Sequence, residues 1–88
     1  MLTLTETAGA RLVEKLDKKG AADDSAIRLV RKRRGWRLRV DRPATGDALF
    51  AHDGRTVLML DADASQRLTD RTLDTRDSDS GQKLWLRR

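Results

Sequence analysis

The sequence predicts an α+β domain that is mainly β, with an N-terminal amphipathic helix and a short second helix. On both sides of Gly35, apolar and charged residues alternate, which is the period of half-buried strands. Asp53 and Gly54 lie between two apolar segments, a strong signal for a β-hairpin. Near the N-terminus, apolar residues recur at helical spacing, namely Ala8, Leu12, Val13 and Leu16.

The predicted elements follow one another without a repeat or a linker, so we expect one domain over residues 1–88. A short strand at 2–4 leads into the helix, with Thr5 as its N-cap and Gly20 at its end. Pro43 has no amide proton for a strand ladder, so the strand that follows Gly35 ends before it. The remaining elements are strands near 49–51, 56–60, 72–75 and 82–87, and a short helix capped by Asp61.

The composition excludes several classes of function. The chain has no cysteine, which rules out disulfides, thiolate nucleophiles and cysteine-held iron-sulfur or zinc sites. It has no glycine-rich phosphate loop. It also has no glycine-flanked serine of the nucleophile-elbow type that its single histidine could activate in a catalytic triad. We therefore expect a protein that is not an enzyme and has no cofactor. No apolar run approaches the ~20 residues of a membrane helix, and the N-terminus lacks signal-peptide features, so we expect a cytoplasmic protein without a membrane partner.

The excess positive charge of the chain is local. Between Arg28 and Arg42 there are eight cations and one acid, whereas the other residues contain 11 cations and 13 acids. We call the stretch 28–42 the basic hairpin. Its candidate anion-binding or partner-binding residues are Arg28, Arg31, Lys32, Arg33, Arg34, Arg37 and Arg39.

Two interpretations of the basic hairpin stay open. Arginine pairs with phosphate and carboxylate oxygens in a bidentate manner, which favours a binding site for nucleic acid, a phosphorylated ligand or an acidic protein. Charged turns also keep exposed strand edges apart, which would make the run only a solvated tip. Trp36, next to the run, shares the parity of Leu38 and Val40, so we expect it in the core.

A metal site is the other candidate that the sequence raises. His52 is the only imidazole, Asp53 follows it, and Asp61 and Asp63 lie one strand further on. One histidine with scattered carboxylates is a weak signal, and turn geometry explains Asp53, so we expect no metal. The run 77–81 begins like a calcium loop but lacks the acid of the bidentate ligand, so we expect a turn there.

The order of these elements resembles a known family. The opening at 1–8, the segment 27–29, the Pro43 to Asp47 connection, and the hairpin at 52–54 with its apolar strand into Asp61 resemble the HesB-like, A-type iron-sulfur carriers over nearly the full length. The resemblance implies a small HesB-like β-sandwich or open barrel. In the family's metal-handling members, it also implies a role in receiving and passing on iron or iron-sulfur clusters.

The chain departs from that family in its chemistry. The resemblance implies one ligand cysteine in the loop of the basic hairpin, and alignment on Gly35 puts Arg33 at about its position. It implies two more cysteines in a C-terminal tail, which we expect to be missing because the chain ends at Arg88. A guanidinium has no lone pair for a metal. We therefore expect a non-catalytic, cysteine-free relative that acts through an unidentified protein partner without holding a cluster. The resemblance implies an association with iron-sulfur cluster assembly. The alternative is a small nucleic-acid or polyanion binder that uses the basic hairpin.

Overall fold

The computed structural model describes residues 1–88 and contains two helices and seven strands. The helices are α1 (Glu6–Lys18) and α2 (Ala62–Arg67). The strands are β1 (Thr3–Leu4), β2 (Ala26–Lys32), β3 (Gly35–Asp41), β4 (Ala48–His52), β5 (Arg55–Leu60), β6 (Thr72–Ser78) and β7 (Gly81–Arg87). The predicted α+β class with a short second helix is confirmed. No helix is long and apolar enough to cross a membrane.

The strands form two open sheets. One has the order β1-β6-β7 and the other the order β3-β2-β5-β4. Consecutive strands pair as antiparallel hairpins in β2–β3, β4–β5 and β6–β7, as the turn signals predicted. The parallel pairs, β1 with β6 and β2 with β5, join segments far apart in the chain, and the local turn signals contain no information about them.

Helix α1 forms where the sequence predicted it and packs against both sheets. Its N-cap is Thr5, whose hydroxyl accepts a hydrogen bond from the amide of Ala8, and Glu6 lies at the positive end of the helix dipole. Leu12 and Leu16 on its inner face are fully buried. They pack with the central strand β5, whose last four residues, Val57–Leu60, are also inaccessible to solvent.

The largest difference between a predicted and an observed strand is in β6. Strand β6 extends to Ser78, beyond the predicted end near residue 75, because β7 pairs with it along its whole length. The turn predicted at 77–81 is therefore shorter, because only residues 79 and 80 lie between the two strands. The hydroxyl of Ser78 donates to the carbonyl of Gly81 at 2.7 Å across this turn. Long-range pairing therefore decides where this strand ends, and the polar composition of residues 76–78 does not reveal it.

Asp74 in β6 ties the N-terminus to the C-terminal hairpin. Its carboxylate accepts hydrogen bonds from the amide of Thr75, the hydroxyl of Thr5 and Nε of Arg87, at 2.8, 2.8 and 3.0 Å. The amide of Thr75 contributes most, and together these donors lower the pKa of Asp74 from 3.8 to about 2. The charged form of Asp74 is therefore the one that the native state stabilises.

This lowered pKa predicts a specific loss of stability in acid. Asp74 contributes fully above its unfolded pKa of 3.8, and we expect its contribution to fade as the pH falls from there through about 2. The difference in urea midpoint between the wild type and Asp74→Asn should therefore shrink over this pH range. Asp79→Asn is the matched control, because Asp79 forms no ion pair. A difference that stays constant down to about pH 2 would contradict the role of Asp74.

Candidate functional site

The basic hairpin is an antiparallel pair, β2 and β3, joined by a tight turn of Arg33 and Arg34. Lys32 pairs with Gly35, which has a positive φ of 123° at the end of that turn. Glycine tolerates this conformation at no steric cost, whereas other residues do not. The strands on both sides of Gly35 and the exposed cationic turn are therefore confirmed.

The two faces of the hairpin differ. Ile27, Leu29 and Leu38 lie on the inner face, which packs against the core. Trp36 pairs with Arg31 across the strands and also packs against the core cluster, half-buried, as the alternation predicted. The outer face carries the charged residues of even number in β2 and of odd number in β3, namely Arg28, Lys32, Arg37, Arg39 and Asp41.

Arg28 has to be removed from the predicted set of anion-binding residues. Its side chain is only 10% exposed, and its guanidinium donates from Nη1 and Nη2 to the two carboxylate oxygens of Asp47, at 3.0 and 2.7 Å. Its Nε donates to Asp41 at 3.1 Å, and Nη2 also donates to the carbonyl of Arg42 at 3.1 Å. All three nitrogens are thus occupied within the chain, so Arg28 is a structural residue. The sequence shows its charge but not these partners.

This network changes the ionisation of both acids. The amide of Arg42 contributes most to the lowering of the Asp41 pKa, from 3.8 to about 2, followed by Arg39 and Arg28. The hydrogen bond from Arg28 is the main cause that lowers the pKa of Asp47, and the same bond raises that of Arg28. Asp47 also accepts from the amide of Ala44 at 2.7 Å. We call Arg28, Asp41 and Asp47 the arginine clip, since they fasten the β3–β4 connection onto β2.

The other six candidate residues are all exposed. Arg39 pairs with Asp41 at 3.0 Å, while Arg37 and the four consecutive residues that we call the tip cations form no ion pair. The tip cations are Arg31, Lys32, Arg33 and Arg34. Since no acid of the chain neutralises them, they remain available to an external anion.

A shallow cleft of about 560 Å³ gives part of this set a common surface. Five cations and no acid line this basic cleft, together with Ala21, Val30, Leu38 and Val40: the cations are Lys19, Arg31, Lys32, Arg37 and Arg39. Lys19 was not among the predicted binding residues. It caps the C-terminus of α1, where the helix dipole alone is enough to explain a cation. The fold brings this helix end beside the basic hairpin.

Of the acids considered for a metal site, Asp61 and Asp63 do not come together with His52. Asp61 is the N-cap of α2 and accepts from the amide of Ala64 at 2.8 Å. Asp63 pairs with Arg67 at 2.9 Å in the same helix. Both acids thus have the local roles that their positions at a helix start explain.

No model of a known protein family matches this chain, and no curated protein matches it significantly. Solved structures that share its fold include Escherichia coli SufA, which is involved in biosynthesis of iron-sulfur clusters. That match has 26% identity and a TM-score of 0.79, and it covers 99% of this chain and 84% of SufA. IscA with a [2Fe-2S] cluster is another, with 22% identity and a TM-score of 0.65 over 100% of this chain and 85% of IscA.

Proposed function

We propose, from the HesB-like fold that this chain shares with the A-type iron-sulfur carriers, that it acts without catalysis, through protein contacts and without holding a cluster. The observation that carries this proposal is a fold similar to that of SufA over 99% of a chain with no cysteine. Thiolates are the usual ligands of iron-sulfur clusters, and arginine cannot replace them because its guanidinium only donates hydrogen bonds.

The exposed part of the basic hairpin is the proposed contact surface. Its tip cations and Arg37 are free of ion pairs, so they can pair with the carboxylates of an acidic partner protein. Arg33 lies in the turn where the resemblance implies a ligand cysteine. Guanidinium in that place favours anions over metal ions. The fold shared with SufA supports a role as a contact within iron-sulfur assembly, which we propose to take place in the cytoplasm.

Anaerobic reconstitution with iron and sulfide tests the central claim. After desalting, we expect the protein to show no visible absorbance from a cluster, because it has no thiolate ligand. IscA, treated in parallel, is the positive control, since its structure contains a [2Fe-2S] cluster. A stable, stoichiometric cluster absorbance in this chain would refute the proposal.

A pull-down from the native cell, with the wild type and with a variant in which all four tip cations are glutamine, then identifies the partner that depends on this surface.

A second candidate function rests on the basic cleft. Five cations without an acid line one surface, which is the electrostatic footprint expected of a nucleic-acid or polyanion binder. This function needs neither an iron-sulfur partner nor a thiol. Its signature is a steep dependence of affinity on salt, because bound cations release counterions from the polyanion.

A further inference from the structure

A cluster of three metal-ligating side chains lies apart from the basic hairpin. Glu6 in the first turn of α1, His52 at the end of β4 and Asp53 in the β4–β5 turn each offer one ligand atom, and these atoms lie within 4.8 Å of one another. Residues 6 and 52 are far apart in sequence, so only the packing of α1 on β4 reveals the cluster. From the sequence alone, the acids considered beside His52 were Asp53, Asp61 and Asp63, and Glu6 was not among them.

The packing of α1 fixes the orientation of the imidazole. The side chain of His52 is 14% exposed, and its Nδ1 edge lies against Gly9 of the helix. A Cβ atom at residue 9 would lie 2.6 Å from Nδ1, so the ring occupies space that only glycine leaves open. The other nitrogen, Nε2, faces Asp53 with 3.4 Å between it and Oδ2. The contact with Gly9 therefore holds the ring, and with it the Nε2 atom that faces Asp53, in place without a bound ligand.

The two carboxylates of the cluster have no cationic partner. Seven of the 14 acids form ion pairs with arginine, but Glu6 forms no ion pair and Asp53 pairs only with His52. Arg55 lines a shallow hollow of about 420 Å³ together with His52 and Asp53, yet its guanidinium pairs with Asp17 at 3.2 Å. In a chain of net charge +5, two unpaired acids thus converge on the only imidazole.

We infer that Glu6, His52 and Asp53 bind a divalent first-row transition ion of the Zn²⁺ type. One imidazole nitrogen and two carboxylate oxygens suit such ions, whereas Mg²⁺ and Ca²⁺ prefer oxygen ligands alone. Bonds of about 2.1 Å in a tetrahedral zinc site place neighbouring ligand atoms roughly 3.4 Å apart, and Nε2 and Oδ2 already have a separation of 3.4 Å. The fourth position would be open to water or to a ligand from a partner.

This inference does not depend on the proposed function, because none of the three residues belongs to the basic hairpin. Titration of the full, tag-free chain with Zn²⁺ tests it by calorimetry and by long-range ¹H–¹⁵N NMR. His52 is the only histidine, so the spectrum contains a single imidazole and needs no assignment. We expect one Zn²⁺ per chain and a shift of one imidazole nitrogen that saturates at the same stoichiometry.

Two conservative variants remove one ligand each. Glu6→Gln keeps the side-chain shape, and Asp53→Asn suits the positive φ of 51° at that turn, since asparagine tolerates the left-handed region. We expect each to weaken Zn²⁺ binding at least about tenfold, which is the smaller effect known for groups that merely support metal ligands. Asp63→Asn and Asp79→Asn each remove one negative charge away from the cluster and from the hollow beside it, and they are the controls.

The NMR spectrum of each variant also shows whether it remains folded, which separates loss of the site from loss of structure. Equal binding by the wild type and by Glu6→Gln and Asp53→Asn would overturn the inference. So would the absence of Zn²⁺ binding by the wild type, or binding that leaves the imidazole signal unchanged.

Discussion

Replacing Asp47 by alanine is expected to destabilise the domain by about 3 kcal/mol, because it leaves the guanidinium of Arg28 buried without its bidentate partner. The side chains of Arg28 and Asp47 are only 10% and 3% exposed. Asp41 remains as a second acceptor, which keeps the expected effect at the lower end for a broken buried ion pair. Since a domain of this size has a stability of only roughly 5 kcal/mol, urea denaturation should show a large shift in midpoint.

The exposed ion pair between Arg42 and Asp24 gives a matched control. Its side chains are 73% and 63% exposed, so Asp24→Ala should cost less than about 1 kcal/mol. A double variant, Arg28→Met with Asp47→Leu, should be more stable than Asp47→Ala, because it leaves no buried charge without a partner. If Asp47→Ala and Asp24→Ala had equal effects, the arginine clip would have no special role in stability.

Replacing the four tip cations by glutamine is expected to reduce strongly the salt dependence of polyanion binding, if the second candidate function holds. Each phosphate contact contributes about 0.9 to the slope of log affinity against log salt for duplex DNA. Loss of four contacts should therefore flatten this slope by about 3 to 4. Fluorescence anisotropy with a labelled duplex, over salt concentrations from about 50 to 200 mM, measures it.

A charge-matched variant separates a localised site from general attraction to a basic protein. Four cations without ion pairs lie away from the basic cleft, and glutamine at all of them gives the same net charge: Lys15, Lys18, Lys83 and Arg88. If the basic hairpin is the binding surface, this control keeps most of the wild-type slope. Equal slopes for the two variants would exclude a specific role of the tip, and no binding by the wild type near physiological salt would remove the second candidate altogether.

The sequence predicted the local features of this fold well, because short-range chemistry determines them. Alternation around Gly35, the Asp53-Gly54 turn and the spacing of Leu12 and Leu16 all depend on residues close in the chain. The parallel pairing of β2 with β5 depends on packing between distant segments, and no local pattern indicates it. The resemblance to the A-type carriers predicted the fold class but no strand pairing, and the fold shared with SufA confirms that class.

The candidate sites were harder to predict for the same reason. Charge density identified the basic hairpin, but seven cations looked equivalent until the fold placed Arg28 beside Asp47. In the metal cluster, His52 and Asp53 are neighbours in sequence, whereas Glu6 joins them only because α1 packs on β4 at Gly9. Side chains separated by 40 or more positions meet through tertiary structure, and single-sequence patterns contain little information about such meetings.

The link between Thr5 and Asp74 has a consequence for how the chain folds. The first strand pairs in parallel with β6, with Thr3 beside Thr72, and the cap of α1 is bonded to the same strand. The sheet β1-β6-β7 thus joins segments that lie far apart in the sequence, since Thr5 and Asp74 are separated by 69 positions. Contacts of such high sequence separation slow folding. The contacts of helix α1 and its cap with β6 therefore form only after residues 72–78 have been synthesised, although the helix itself depends on residues close in sequence.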